Sequence, residues 1–391
     1  MNISPNISDI VLLITFSQCV FLTVFILHKY GKSAANRTLA LILLVYSIVF
    51  LNLFLWEMNV YAFSPFPGLS LSGFAFLIPP LHYLYILFLS RSSSRFKRKH
   101  LLHFFPFLIY QSTLLFFFIL VEKENVPAPD FSGESGISDF GMIINWSITA
   151  QGIIYTIMSV AVIRKYSEKI KNIFSNIENI KLNWLRNITI MFASAIIVFL
   201  VENMLVSTSF EISDQFDLSS LISAVYVYVI GYLGLLKSEI FLDPEFTSQI
   251  DDFDFRSEMI AEGNVKYSKS GLTAEKAGEV EKKLLKIMEK EKPYTDSSLT
   301  LAKLAGMLSV SPHNLSEVIN SKLSQNFFDL INGYRVEKVK QDISDSSKNN
   351  LTLLAIAFDA GFNSKSAFNV IFKKHCGITP TEYKKSVLKK E

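Results

Sequence analysis

Charge is what this sequence has least of. Asp, Glu, Lys and Arg make up 19% of its 391 residues, where a soluble protein carries about a quarter. The shortage is local. Up to Lys237 long uncharged apolar stretches dominate, and 34 phenylalanines belong to a composition that is half apolar. Beyond Lys237 the chain turns rich in Lys, Glu, Asp, Ser and Asn. Cysteine is scarce too: Cys19 in an apolar stretch and Cys376 near the other end leave no disulfide framework. These absences exclude a fully soluble protein, a secreted disulfide scaffold and a disordered chain. Basic residues are also missing from Met1 to Asp9, and no small-residue cleavage site follows the first apolar stretch. That stretch therefore reads as a span rather than a signal peptide.

Seven stretches are long enough to cross a bilayer, which takes roughly 20 residues: 10–27, 39–56, 69–90, 101–121, 141–163, 188–206 and 218–236. The first, third and fifth connections hold fourteen basic residues, among them Lys29, Arg37, Arg91, Arg98, Lys165 and Arg186. The other three (57–68, 122–140 and 207–217) hold one, Lys123. Basic connections stay in the cytoplasm, which places the N-terminus outside and everything after Lys237 inside. Outward segments are short, the longest about 19 residues. A signal would then be small, lipid-like, a change in the bilayer, or a partner membrane protein.

Polar groups within the spans are Gln18, Asn52, His82, Gln111, Asn145, Gln151, Glu202 and Asn203. Burying a polar side chain in a membrane is costly, an ionisable one most of all, so His82, Glu202 and Asn203 are candidates for signal sensing. Each has a plain structural reading as well; Glu202 lies about four residues, ~6 Å, from the outer end of its span and can reach headgroup water. Pro79-Pro80 removes backbone donors and predicts a kink in the third span. His100 and His103 sit one helical turn apart, but no further ligands accompany them and six histidines form no HExxH motif, so no metal site and no cofactor are expected.

Residues 1–237 thus form one domain, a seven-helix transmembrane bundle. An acidic linker, 238–272, follows: seven carboxylates stand against Arg256 between 240 and 264. In a connecting helix at 273–292, Ala277, Val280, Leu284, Ile287 and Met288 recur at helical spacing. That stripe suits either a short dimerising coiled coil or packing on the domain behind it.

The last part, 285–391, is the most informative. Leu301, Leu304, Ala305 and Leu308 share one face of a short helix. Ser311 is a good N-cap and Pro312 suits the first turn of the next helix, on which Leu315, Val318 and Ile319 face inward. His313, Ser316, Asn320 and Lys322 are left facing out. This is a helix-turn-helix at about 299–323. A second lies at about 352–375, with Leu353, Ile356 and Ala357 inward, Gly361 ending its first helix and Phe362 filling the core. Its second helix turns Phe368, Ile371 and Phe372 inward, and Ser364, Lys365, Ser366, Asn369 and Lys373 outward. Thr379-Pro380-Thr381-Glu382 starts a last helix with a capping box. Between the units, 326–344 reads as one helix, ~28 Å long, close to the ~34 Å repeat of the major groove. Residues 285–391 hold 16 basic and 11 acidic side chains, net +5, which suits phosphate contact. Arginine, the commonest reader of guanine, is missing from the first recognition helix.

Gly361-Phe362, Phe368, Phe372-Lys373-Lys374, Gly377, Thr379-Pro380 and Tyr383 resemble the signature of AraC/XylS-type transcription regulators, and Tyr334-Arg335 in the connecting helix matches as well. The resemblance covers about 100 residues. Pro80-Leu81-His82-Tyr83 and the run 266–270 resemble the membrane-anchored members. The resemblance implies sequence-specific promoter binding, usually for activation, with one recognition helix per unit. Ser311, Ser364 and, through the resemblance, Arg335 and Lys374 complete the candidate DNA contacts, each of which reads equally as a phosphate or solvent-facing group.

The expectation is an all-α protein with no enzymatic activity: a seven-span bundle in a bacterial inner membrane, and a cytoplasmic domain with two helix-turn-helix units joined by a long helix. It would act as a membrane-tethered, one-component transcription regulator. Its expected partners are promoter DNA, the lipid bilayer, a second copy in a homodimer, and an unidentified small ligand or membrane protein. Two alternatives stand beside it: a transporter or membrane enzyme with a regulatory DNA-binding tail, and a factor released by proteolysis in the acidic linker.

Overall fold

The computed structural model describes residues 7–90, 96–124, 139–177, 182–207, 218–237, 273–348 and 350–388. The acidic linker lies outside the described residues. Secondary structure is helical throughout them, with one isolated antiparallel bridge between Phe174 and Thr300 and no strand among the described residues. The chain divides into two compact units. One is Met1–Arg164 with Leu182–Asp243; the other is Pro244–Glu391 together with Lys165–Lys181, from the middle of the chain.

Every one of the seven apolar stretches falls on helix. Helices α1 (Ile7–Tyr30) and α2 (Ala34–Glu57) are joined by a tight turn in which the Ser33 hydroxyl accepts from the Asn36 amide at 3.0 Å. The third stretch is built in three pieces: α3 (Phe66–Ser72), a 3-10 turn (Gly73–Leu77) and α4 (Ile78–Leu89). Pro79 and Pro80 sit in the first turn of α4, where their missing N–H groups have no intrahelical partner to lose. Helices α5 (Phe105–Glu124), α6 (Asp139–Ile173), α7 (Leu182–Ser207) and α8 (Leu218–Lys237) follow. Among the described residues, six helical segments are long and apolar enough to cross a membrane; the apolar part of α8, Leu218–Gly234, is shorter. Large apolar side chains such as Ile14, Phe21, Leu102, Phe116, Ile157 and Ile197 point outward, as lipid-facing surfaces do.

The main core of this unit draws on α1, α2, α4, α7 and α8, around Leu43, Phe50, Leu81, Tyr85, Phe192 and Tyr226. Several polar groups in the spans act as pins. Asn52 donates to the Gly68 carbonyl at 3.2 Å and to the Ser72 hydroxyl at 3.0 Å, tying α2 to α3. Gln111 donates to the Ser70 carbonyl at 2.9 Å, tying α5 to α3.

In the second unit, the helices after the linker begin with α9 (Ala274–Lys290), capped by Thr273. Its stripe of Ala277, Val280, Leu284, Ile287 and Met288 is buried in the first of two core clusters. Then come α10 (Leu301–Met307), α11 (Pro312–Leu323), α12 (Phe327–Ser344), α13 (Leu353–Asp359), α14 (Lys365–Cys376) and α15 (Pro380–Leu388). Helix α12 serves both clusters. Phe327, Leu330 and Ile331 enter the first, with α9, α10 and α11; Phe328, Val336, Val339 and Ile343 enter the second, with α13, α14 and α15. A single 18-residue helix of ~27 Å thus carries one small core on each end.

Candidate nucleic-acid interface

Local signals set each helix of this unit. Thr300, Ser311, Asn326, Thr352 and Ser364 each accept a hydrogen bond from the backbone amide three residues on, at 2.8–3.3 Å, satisfying an end that would otherwise be open. Thr379 and Glu382 close a reciprocal capping box at the start of α15. The two interhelical turns repeat one hydrogen-bond pattern. In the first, Ser309 N donates to Gly306 O and Val310 N to Ala305 O; in the second, Gly361 N donates to Phe358 O and Phe362 N to Ala357 O. Ser309 and Gly361 occupy matching left-handed positions, at φ 56° and 98°. Only glycine fits the second: a Cβ on Gly361 would meet the Tyr294 carbonyl oxygen at 2.3 Å.

This framework presents the outer faces of α11 and α14. On α14, Lys365, Ser366, Asn369 and Lys373 are exposed, with Phe368, Ile371 and Phe372 buried beneath them. On α11, Asn320 and Lys322 are exposed and His313 is half-buried. Ser316 is not on the open face as expected: it is buried, and its hydroxyl accepts a bond from the Asn320 amide at 3.3 Å. Ser311 and Ser364 spend their side-chain oxygens as helix caps. Lys374 is exposed, but its ammonium lies 2.7 Å from Asp329 and ties α14 to the start of α12. Burial alone would raise the Asp329 carboxyl; the hydrogen bonds from Lys374 and Asn326 outweigh it and hold the group below the usual carboxylate range.

Arg335 requires a correction. Expected among the DNA contacts, it is 1% exposed and its guanidinium is spread over carbonyls inside the unit. Nε donates to Tyr294 O at 2.7 Å, Nη2 to Asp296 O at 2.9 Å, and Nη1 to Ser175 O and Asn332 Oδ1, both at 3.2 Å. Burial lowers its pKa to about 10, so it stays charged at neutral pH. Its place in the stripe Phe328, Ile331, Arg335, Val339 was a usable signal, because those spacings put it on the buried face of α12. One exposed side chain was missed: Val370, 67% exposed beside Asn369 on α14, an apolar group of the kind that can meet a thymine methyl.

A family model described as a helix-turn-helix domain matches residues 304–386. Two curated proteins, from Streptomyces lividans and Streptomyces antibioticus, are each 31% identical to this chain over 88 residues. Both are described as AraC-like transcription regulators. Residues 304–386 form an AraC-type helix-turn-helix domain. The alignment covers 22% of this chain and 28% of each relative, so the likeness concerns the AraC-type domain. No solved structure matches the chain.

The sensing candidates are engaged among helices of the first unit. Glu202 on α7 accepts from the Ser219 amide at 3.0 Å and so caps the first turn of α8. Asn203 donates to the Thr149 hydroxyl on α6 at 3.0 Å. His82 is fully buried; it stacks on Phe192 with ring centroids 4.2 Å apart, and its Nδ1 lies 2.7 Å from the Tyr226 hydroxyl. His103 pairs with the Tyr155 hydroxyl at 2.9 Å.

Proposed function

We propose that this protein is a membrane-tethered transcription regulator. Seven helices anchor it, the N-terminus lies outside, and the AraC-type domain works on promoter DNA in the cytoplasm under control of a small or membrane-borne signal. The observation that carries the reading is the pair of capped helices, α11 and α14, held on one helix with Lys, Asn and Ser on their outer faces. Asn320 and Asn369 are the proposed base readers, Asn being suited to bidentate contact with adenine, and Val370 the thymine contact. Lys322, Lys365 and Lys373 are proposed to contact phosphate, with His313 and Ser366 at the edge of the same surface. Among the sensing candidates, His82 keeps that role: its Nε2 is buried and has no hydrogen-bond partner among the described residues. Glu202 and Asn203 join helices to each other.

Tethering is favoured over proteolytic release because the compact C-terminal unit includes Lys165–Lys181. Cleavage between 238 and 272 would leave those residues behind. The test is genome-wide mapping of DNA bound by the full-length protein in its native membrane, beside a Lys365→Ala/Asn369→Ala double variant. Occupancy of a few promoters, lost in the variant while the protein stays in the membrane, is expected. Scattered occupancy, or sites unchanged in the variant, would overturn the reading.

A further inference from the structure

Helix α6 does not stop where its apolar stretch does. It runs 35 residues, ~52 Å, against a hydrocarbon core of about 30 Å. From Lys165 onward it belongs to the same compact unit as the AraC-type domain. Tyr166, Ile170 and Ile173 recur along it at spacings of four and three, and all are buried. The residues after the helix make a dense set of contacts in that unit. Phe174 pairs antiparallel with Thr300. The Ser175 side chain, 1% exposed, donates to Leu299 O at 2.6 Å. The Ser175 carbonyl accepts from Asn332 at 3.0 Å and from Arg335 at 3.2 Å, and Arg335 also reaches the Ser175 hydroxyl at 3.2 Å. Ile177 packs on the second core cluster, and Lys171 is near enough to Asp329 to help lower its pKa.

One short segment therefore touches the start of the first helix-turn-helix, the middle of α12 and the core around the second helix-turn-helix. We propose that residues 165–177 are a transmission arm, and that α12 with its Asn332–Arg335 seat is the surface it acts on. A turn or slide of α6 would then reach the helix that sets the spacing of the two recognition helices without passing through 238–272. This rests on the tethered-regulator reading. Within the membrane-spanning part, α6 is held through Thr149 to Asn203, Tyr155 to His103 and the packing of Ile144 and Ile148 on a small side cluster. Among the described residues it adds only the partly buried Val162 and Ile163 to the main apolar cluster. The Gln151 amide and Ser159 hydroxyl are buried with no hydrogen-bond partner among the described residues. Unpaired polar groups away from water are costly, so a register that pairs them competes with this one.

The experiment uses the full-length protein in native membranes, with Cys19→Ser and Cys376→Ser and a protease site inserted between 238 and 272. Phe174→Cys/Thr300→Cys is added, and the DNA probe is a duplex recovered from the sites the unmodified protein occupies. After oxidation and cleavage, the C-terminal fragment should stay attached to the membrane part until reductant is added. The oxidised protein should differ from the same protein reduced by at least fivefold in affinity for the duplex. Release without reductant overturns the docking, and equal affinity in both states overturns the coupling. If neither state binds the duplex while the cross-link forms, the regulator reading falls and the arm's signalling role with it, whereas the docking stands. A second set of variants needs no buried substitution: one alanine inserted between Arg164 and Lys165 turns the arm about 100° relative to the span, and four alanines nearly restore its face. Transcription from an occupied promoter should change at least threefold with one alanine and move back toward the parent level with four. Output indifferent to both insertions overturns the proposal.

Discussion

At the scale of single residues, burial separates side chains that look alike in the sequence. Arg335 and Lys373 are both cations in helices of the AraC-type domain, yet one is sealed among carbonyls and the other stands in the open. Arg335→Ala should destabilise the domain by about 3–5 kcal/mol, since it strands several acceptors and opens a void. Hydrogen exchange of the α12 amides in the full-length protein measures this, and an unchanged protection pattern would contradict it. Asn369→Ala should instead leave stability alone and weaken specific binding by about 1–3 kcal/mol, with relaxed preference at one base pair. Lys373→Ala should weaken binding to all sequences alike and reduce the slope of log affinity against log salt by about one. A salt series on the two variants separates these effects. The polar faces of α11 and α14 could be read from helical spacing; that Ser316 is covered and Lys374 occupied could not, because both depend on neighbours brought in by the fold.

At the scale of helices, the ends were the most legible part. Thr300, Ser311, Asn326, Thr352, Ser364 and Thr379 act within three residues of themselves; Ser311 and the Thr379–Glu382 box are read from the sequence, and the other four are local signals of the same kind. The far end of α12 is held by side chains instead: Asp342 is buried and takes an ion pair from Lys348 at 2.8 Å as well as one from Lys338. Burial alone would raise this carboxyl, and the two lysines bring it below its ordinary value. A depressed carboxylate contributes stability that is complete above the unfolded pKa of about 3.9 and is lost as pH falls through the lower folded value. Protection of the last turn of α12 should therefore decline below about pH 4. Asp342→Asn should remove that step and make protection flat across the same range; an unchanged acid limb would place its origin elsewhere. Gly361 makes a sharper statement about a turn. Gly361→Ala meets a carbonyl at 2.3 Å in a left-handed conformation that alone costs about 1–2 kcal/mol, and should unfold the second helix-turn-helix first. Ser309→Gly at the matching position should be tolerated.

At the scale of the whole molecule, the division into an apolar half and a double helix-turn-helix was visible from composition and periodicity. The arm was not. Its partners lie 124 to 160 residues away, and the basic run around it reads simply as a cytoplasmic connection. A fragment of residues 273–391 therefore lacks a piece of its own core. It should melt below the temperature of the same unit in the full-length protein, and a synthetic peptide of residues 165–177 should raise its midpoint. No response to the peptide would mean that Asn332 and Arg335 find other partners. The same discontinuity orders events during synthesis. The arm leaves the ribosome ahead of α7 and α8, and at about 5–20 residues per second its partners on α12 follow roughly 10–30 s later. For that interval a serine destined for the heart of a DNA-binding domain waits at the end of a helix, while two further apolar helices are made. Any delay in making or folding those helices is then also a delay in completing the helix-turn-helix domain.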